Sequence, residues 1–340
     1  MGRKASAGLI KKNDIWHIDK YIGGKRVCKS TKTSNLEEAE KFLAKLMEDS
    51  RQATVYGVRP KRTFSEAAER YLVEKAHKRS IADDSGRIKN LLGWIADLPI
   101  SDIHMGKLQP WIESRKVDGV KTNTINHGLK LVRQILNSAA TWIDDYNLTW
   151  LAVAPKIQLL PVTDQKPAYP LDWNEQEQLF SCLAPHLKDM AGFAVNTGCR
   201  DQEVCNLRWD WEVQIPDLNT SVFIIPKGFV KNKQNRLVVL NSEAKTIVDK
   251  CRGEHLTHVF TYKDSPVTRI MNSGWKNARK AVGLPMVTVH DLKHTFGRRL
   301  RAANVSFEDR QDLLGHKSSR ITTHYSAADL TSLIEASEKV

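Results

Sequence analysis

Four short polar clusters in the C-terminal half interrupt otherwise ordinary apolar patterns. The first is Thr197-Gly-Cys-Arg200-Asp-Gln-Glu203. A glycine turn at a helix start can set an arginine in a cleft, and Glu203, one helical turn on, can steady it. The second is Lys227-Gly-Phe-Val-Lys231-Asn-Lys233-Gln-Asn-Arg236, a polar turn whose lysines can reach a phosphate. The third is His290-Asp-Leu-Lys293-His-Thr-Phe296, in which His290 and Lys293 share a helix face. The fourth is Leu313-Leu-Gly-His316, with Tyr325 nine residues later. Singly, each has an ordinary explanation: a surface ion pair, a solvated loop, a helix cap, a core aromatic with its hydroxyl satisfied. Together they supply guanidinium, ammonium and imidazole groups suited to holding a phosphate.

The elements that must position these clusters follow from periodicity. Asp172 with Glu175 predicts a helix start, and Met190 to Val195 lies in a second helix. Val222 to Pro226 and Leu237 to Leu240 read as strands on either side of the polar turn. Helices are expected at about 242–252, 267–282, 290–303 and 306–314. Beyond Tyr325, Leu330, Leu333 and Ile334 keep helical spacing and can dock on the chain's own core or on a neighbouring protomer.

Upstream, four apolar stripes between Thr63 and Ile143 predict a small helical bundle. Before it, Trp16, Ile18 and Ile22 alternate with an interruption at Lys20. Gly23-Gly24 supplies a turn, and Val27 to Thr31 returns as a partner strand. Ser34 with Glu37 predicts the start of a helix running to about residue 55. The segments 56–60 and 162–167 read as linkers.

The chain has 340 residues, 52 Lys and Arg against 39 Asp and Glu, and a formal charge of +13. The first 32 residues alone carry a surplus of +7, which favours a polyanionic partner. Lys11, Lys12, Lys20, Lys25, Arg26 and Lys29 are the candidate DNA contacts there. No apolar run is long enough to span a membrane, and the N-terminus has no secretory apolar region. Five cysteines without framework spacing predict a reduced, cytoplasmic protein. Cys251, His255 and His258 resemble a metal cluster but lack a fourth ligand.

The order and chemistry of the four clusters resemble the tyrosine recombinases, in particular the phage-type integrases. That family carries T-G-x-R-x-x-E, a lysine on a β-hairpin, H-x-x-R, L-G-H and a tyrosine about nine residues on. The match extends over about residues 170–335. The bundle resembles the family's core-site-binding domain, and the basic N-terminal unit resembles its arm-site-binding domain. The resemblance implies an α+β fold, mainly α, with three domains at 1–55, 62–160 and 167–340. It comprises a small N-terminal β-hairpin or sheet plus helix, a four-helix core-binding bundle and a mixed α/β catalytic domain.

It also implies a site-specific recombinase that joins itself to DNA through a 3′-phosphotyrosyl bond. A phenolate suits that role because it is both nucleophile and leaving group. In this reading Tyr325 attacks, Arg200 and Lys293 clamp the phosphate, and His316 hydrogen-bonds it. His290 assists proton transfer or holds the phosphate. Lys231, or Lys233 on the same turn, protonates the departing oxygen. Glu203 and Asp291 are supports. Cationic side chains replace a metal, and no cofactor is implied. The expected partners are double-stranded DNA, at core-type and arm-type sites, a homotetramer on DNA, and DNA-bending or excisionase accessory proteins, with no membrane. One departure stands out: Lys293 occupies the family's second arginine position, so charge is kept but the two-pronged donor is lost. The alternative is therefore a DNA-binding protein with an attenuated active site.

Overall fold

The computed structural model describes residues 6–315 and 327–340. The chain divides into two compact units, Met1–Gln165 and Lys166–Val340.

In the first unit β1 (Leu9–Lys12), β2 (Ile15–Ile22) and β3 (Lys25–Ser30) form an antiparallel sheet. Two-residue turns connect them, with positive φ at Asn13 and Asp14 and at Gly23 and Gly24. Such turns match the twist of the strands they join. The expected hairpin thus gains a third strand, which its short Leu-Ile-Lys-Lys sequence did not announce. Leu9 and Ile18 bury against Ala39 and Leu43 of α1 (Leu36–Tyr56). Lys20 keeps the inward face because its methylenes lie over Gly8, where a Cβ would sit 2.7 Å from Cδ. The cap of α1 is Asn35 and not Ser34. Asn35 Oδ1 accepts from the N–H groups of Glu37 and Glu38, while the Ser34 carbonyl accepts from Trp16 Nε1.

A separate apolar cluster belongs to α2 (Phe64–Glu74), α3 (Ile81–Ile95), α4 (Met105–Val117) and α5 (Thr122–Ala139). Thr63 and Glu66 close a capping box at the start of α2. Tyr71, Leu91, Leu108 and Leu129 are fully enclosed. Gly128 lets α5 approach Trp111, whose ring would lie 2.5 Å from a Cβ there.

The second unit opens with α6 (Trp173–Ser181), capped by Asp172 and Glu175 as expected. Next come α7 (Pro185–Thr197) and α8 (Asp201–Cys205). The sheet of β4 (Glu212–Ile215), β5 (Thr220–Ile225) and β6 (Arg236–Val239) is antiparallel with β5 central. The sequence had signalled only its last two strands. Then follow α9 (Ser242–Lys250), the short hairpin β7 (Thr261–Tyr262) and β8 (Ser265–Pro266), and α10 (Ser273–Ala281). The helix expected from residue 267 starts later, because Asn272 caps it and the Ile270 N–H is held by Asp201. Last are α11 (Val289–Ala302), α12 (Phe307–Leu313) and α13 (Ala327–Glu338). Phe193, Phe223, Trp275 and Leu292 anchor the main core. Leu333 and Ala336 of α13 pack with Val239, Phe296, Leu300 and Leu313, so the final helix docks on its own unit. No helix among the described residues is long and apolar enough to cross a membrane.

Candidate active site

Arg200 is placed by a helix end and a helix start. Helix α7 stops at Gly198, whose φ of +60° turns the chain. A Cβ there would also meet the Phe296 ring at 2.8 Å, so the residue must be small as well as left-handed. Arg200 then caps α8, with its N–H donating to Glu203 Oε2 at 2.9 Å and Nη1 to Glu203 Oε1 at 2.7 Å. Glu203 is 2% exposed. Burial alone would push its pKa up, but the nearby Arg236 and Arg200 outweigh it and hold the carboxyl below its ordinary range.

His290 and Lys293 lie on the first turns of α11. Asp291 forms the capping box with Thr288, accepts the Tyr169 N–H at 2.9 Å and pairs with Lys166 at 3.7 Å. It therefore fixes the turn that carries His290. Lys293 is 4% exposed. Its ammonium donates to the carbonyls of Gly198 and Leu314. Burial, then the charges of Arg236 and Arg200, pull its pKa down to about 7. His290 is also shifted down, first by desolvation and then by His294, Lys293 and Arg200.

The loop between β5 and β6 is held by buried Val230, by Phe229 against Trp211 at 4.9 Å, and by the Lys227 N–H on Asn235. That anchoring sets Lys231 on the wall of a cleft of about 540 Å³. Lys233, with a φ of +57°, is not part of the lining. Arg200, Lys231, His290 and Lys293 thus meet at one cleft, and His294, Arg298, Arg301 and Arg310 line it as well. No carboxylate does so among the described residues. Continuing the face of His290 and Lys293 by helical steps reaches 294, 297 and 301, a signal the sequence reading left unused. His316 and Tyr325 lie outside the described residues.

The register splits the six N-terminal cations between the two faces of the sheet. Leu9 pairs with Ile18, Lys11 with Trp16, Ile18 with Lys29, Lys20 with Val27 and Ile22 with Lys25. Residues directly opposite share a face, so Lys11, Lys20, Lys25 and Lys29 stand on the side of Ile18 and α1. Lys12 and Arg26 stand on the other side, with Tyr21 exposed beside them. Arg26 forks onto Asp19 with two bonds of 2.8 Å, and that hydrogen bonding holds the Asp19 carboxyl down at about 2.

The metal-like trio is spent locally. His255 Nδ1 accepts from the N–H groups of Thr257 and His258, and burial pushes the Cys251 thiol up to about 12. Among the described residues, no group of three His, Cys, Asp or Glu could hold a metal ion.

Comparisons with known proteins bear on the family and the fold. Residues 171–331 match the Phage integrase family, and residues 8–52 match the Phage integrase N-terminal domain. The integrase of Salmonella phage P22 is 27% identical over 359 residues, spanning 93% of this chain and 90% of that protein. A lambda integrase dimer bound to a COC′ core site has the same fold, with a TM-score of 0.61 and 17% identity. That match covers 94% of this chain and 95% of the other. The Tn1549 transposon integrase in complex with circular intermediate DNA has a TM-score of 0.55 and 15% identity, over 78% of this chain and 98% of its own. The chain belongs to the phage integrase family and is a tyrosine-type site-specific recombinase.

Proposed function

We propose that this recombinase cuts and rejoins DNA strands through a 3′-phosphotyrosyl bond to Tyr325, integrating or excising a mobile element. The observation that carries the reading is the cleft that gathers Arg200, Lys231, His290 and Lys293 with no carboxylate among its described lining. Such a bowl is preorganised for the extra negative charge of an attacked phosphodiester, where each well-placed donor is worth roughly 3–4 kcal/mol of barrier. His316 and Tyr325 join the set by motif.

In the forward step the Tyr325 oxygen bonds to phosphorus and its proton passes to His290 or solvent. The bond to the 5′ oxygen breaks, and Lys231 gives that oxygen a proton. Rejoining reverses each transfer. Arg200 and His316 hold the non-bridging oxygens throughout. A nicked duplex should trap a covalent adduct that Tyr325→Phe abolishes, and an adduct surviving that change ends the assignment. Sequencing DNA trapped on the enzyme supplies the duplex to use.

A second reading keeps DNA binding but attenuates cutting. It is favoured by the Lys293 ammonium, which donates to two backbone carbonyls. Lys293→Arg discriminates: a large gain in adduct rate supports attenuation, and an unchanged rate supports a working variant.

The partner is double-stranded DNA, bound as a tetramer, with DNA-bending or excisionase proteins assisting in the bacterial cytoplasm. The division into domains at 1–55, 62–160 and 167–340 assigns arm-type sites to the first and core-type sites to the second. Lys12 and Arg26 then present the outer sheet face to the arm site. Lys12→Glu should weaken arm-type binding and leave core-type binding unchanged in a gel-shift titration.

A further inference from the structure

Arg236 opens β6 at the end of a polar loop, and its place in the sequence does not set it apart. Its surroundings do. It is 3% exposed. Nη1 donates to Glu203 Oε2. Nη2 lies 3.2 Å from the Thr197 carbonyl, 3.0 Å from that of Gly198 and 3.4 Å from that of Leu313. Thr197 and Gly198 end α7 just before Arg200. Leu313 ends α12 just before His316. Gly315 packs against the Arg236 side chain, where a Cβ would sit 2.7 Å from Nε and 2.9 Å from Cδ.

We propose that Arg236 is a positioning residue that locks Arg200 and the approach to His316 into one geometry. One arm holds the carboxylate that orients Arg200. The other ties the end of α7 to the end of α12. A planar fork holds its donors in a fixed geometry toward both the carboxylate and the carbonyls. The Lys293 ammonium also bridges Gly198 and Leu314, but it donates from a single point and leaves Glu203 to the arginines. Being buried, Arg236 acts through these groups and not on DNA. The inference rests on the reading of Arg200 and His316 as the groups that hold the phosphate.

The test compares wild type, Arg236→Lys, Arg236→Gln and Arg200→Ala. Duplex affinity is measured at fixed salt, and adduct formation at saturating nicked duplex. A misplacement of about 1 Å can cost on the order of 100-fold in rate. Arg236→Gln should therefore lose about 100-fold in adduct rate and Arg236→Lys about 10-fold, each keeping affinity within about threefold. A wild-type rate in Arg236→Gln overturns the proposal. So does a loss of rate and affinity in step with the folded fraction followed by circular dichroism, which marks a merely structural role. If Arg236→Gln does not fold, Arg236→Lys decides, with a slow rate at wild-type affinity in support and a wild-type rate against. Arg200→Ala reports separately on the site itself: an adduct surviving there removes the phosphate reading, whatever Arg236 does.

Discussion

Arg236 and Glu203 form an ion pair in which both side chains are only 2% exposed. The same carboxylate also takes Arg200, so one buried acid serves two arginines. Removing one partner of such a pair leaves the other charge uncompensated, at a cost of about 3–5 kcal/mol.

Glu203→Gln should lower the urea midpoint accordingly and slow adduct formation more than it weakens DNA binding. The pH dependence has a definite sign. The folded pKa of Glu203 lies below its unfolded value of about 4.3. Its contribution to stability is thus present above about pH 4.3 and is lost as pH falls through the folded value. Acid unfolding of the Gln variant should start from lower stability and fall less steeply over that window.

Lys293 acts at the other end of the scale. In the folded chain it releases its proton near pH 7, whereas an unfolded lysine does so near about 10.4. Between these values the unfolded state binds more protons, so stability rises with pH, by at most about 1.4 kcal/mol per unit. Below pH 7 both states are protonated and the slope vanishes. Lys293→Met should remove this rise, as read from urea midpoints between about pH 7 and 10.

Gly315 and Gly283 offer a matched pair. Both have positive φ, +58° and +75°, but only Gly315 faces a close neighbour, the Arg236 side chain. Alanine at either position should cost about 1–3 kcal/mol for the left-handed backbone. Gly315→Ala should cost more in melting temperature and also slow cleavage, while Gly283→Ala should leave the cleavage rate alone. Equal losses at both would show that Arg236 yields easily.

Arg301 lines the cleft; its carbonyl takes the Asn304 N–H, and its guanidinium makes no hydrogen bond or ion pair among the described residues. Arg301→Ala should reduce the slope of log affinity against log salt by about 0.9 if it neutralises one phosphate. An unchanged slope in a fluorescence titration would remove it from the DNA surface.

Much of the scaffold was legible because it rests on local signals. Asp172 and Glu175 cap a helix, Gly23-Gly24 turns a hairpin, and the bundle stripes repeat at helical spacing. The pairing of Glu203 with Arg200 was legible for the same reason, being one turn long. What could not be read was non-local. Arg236 meets Glu203 across 33 positions and Leu313 across 77. Lys293 reaches Gly198 across 95. The N-terminal lysines were counted as one basic patch, but strand register, which charge counting ignores, sends them to opposite faces. Strand β4 (Glu-Val-Gln-Ile) was missed because it lacks the run of adjacent β-branched residues that marks β6 and is cut off at once by Pro216.

Arg200, Arg236 and Lys293 surround a single acid, and that arithmetic matters before any DNA arrives. With Lys293 protonated, these four side chains carry two uncancelled positive charges. Their mutual repulsion opposes folding, and release of the Lys293 proton near pH 7 relieves part of it. Under the proposed function a bound phosphodiester would offset the remainder, so DNA should raise the stability of the folded chain.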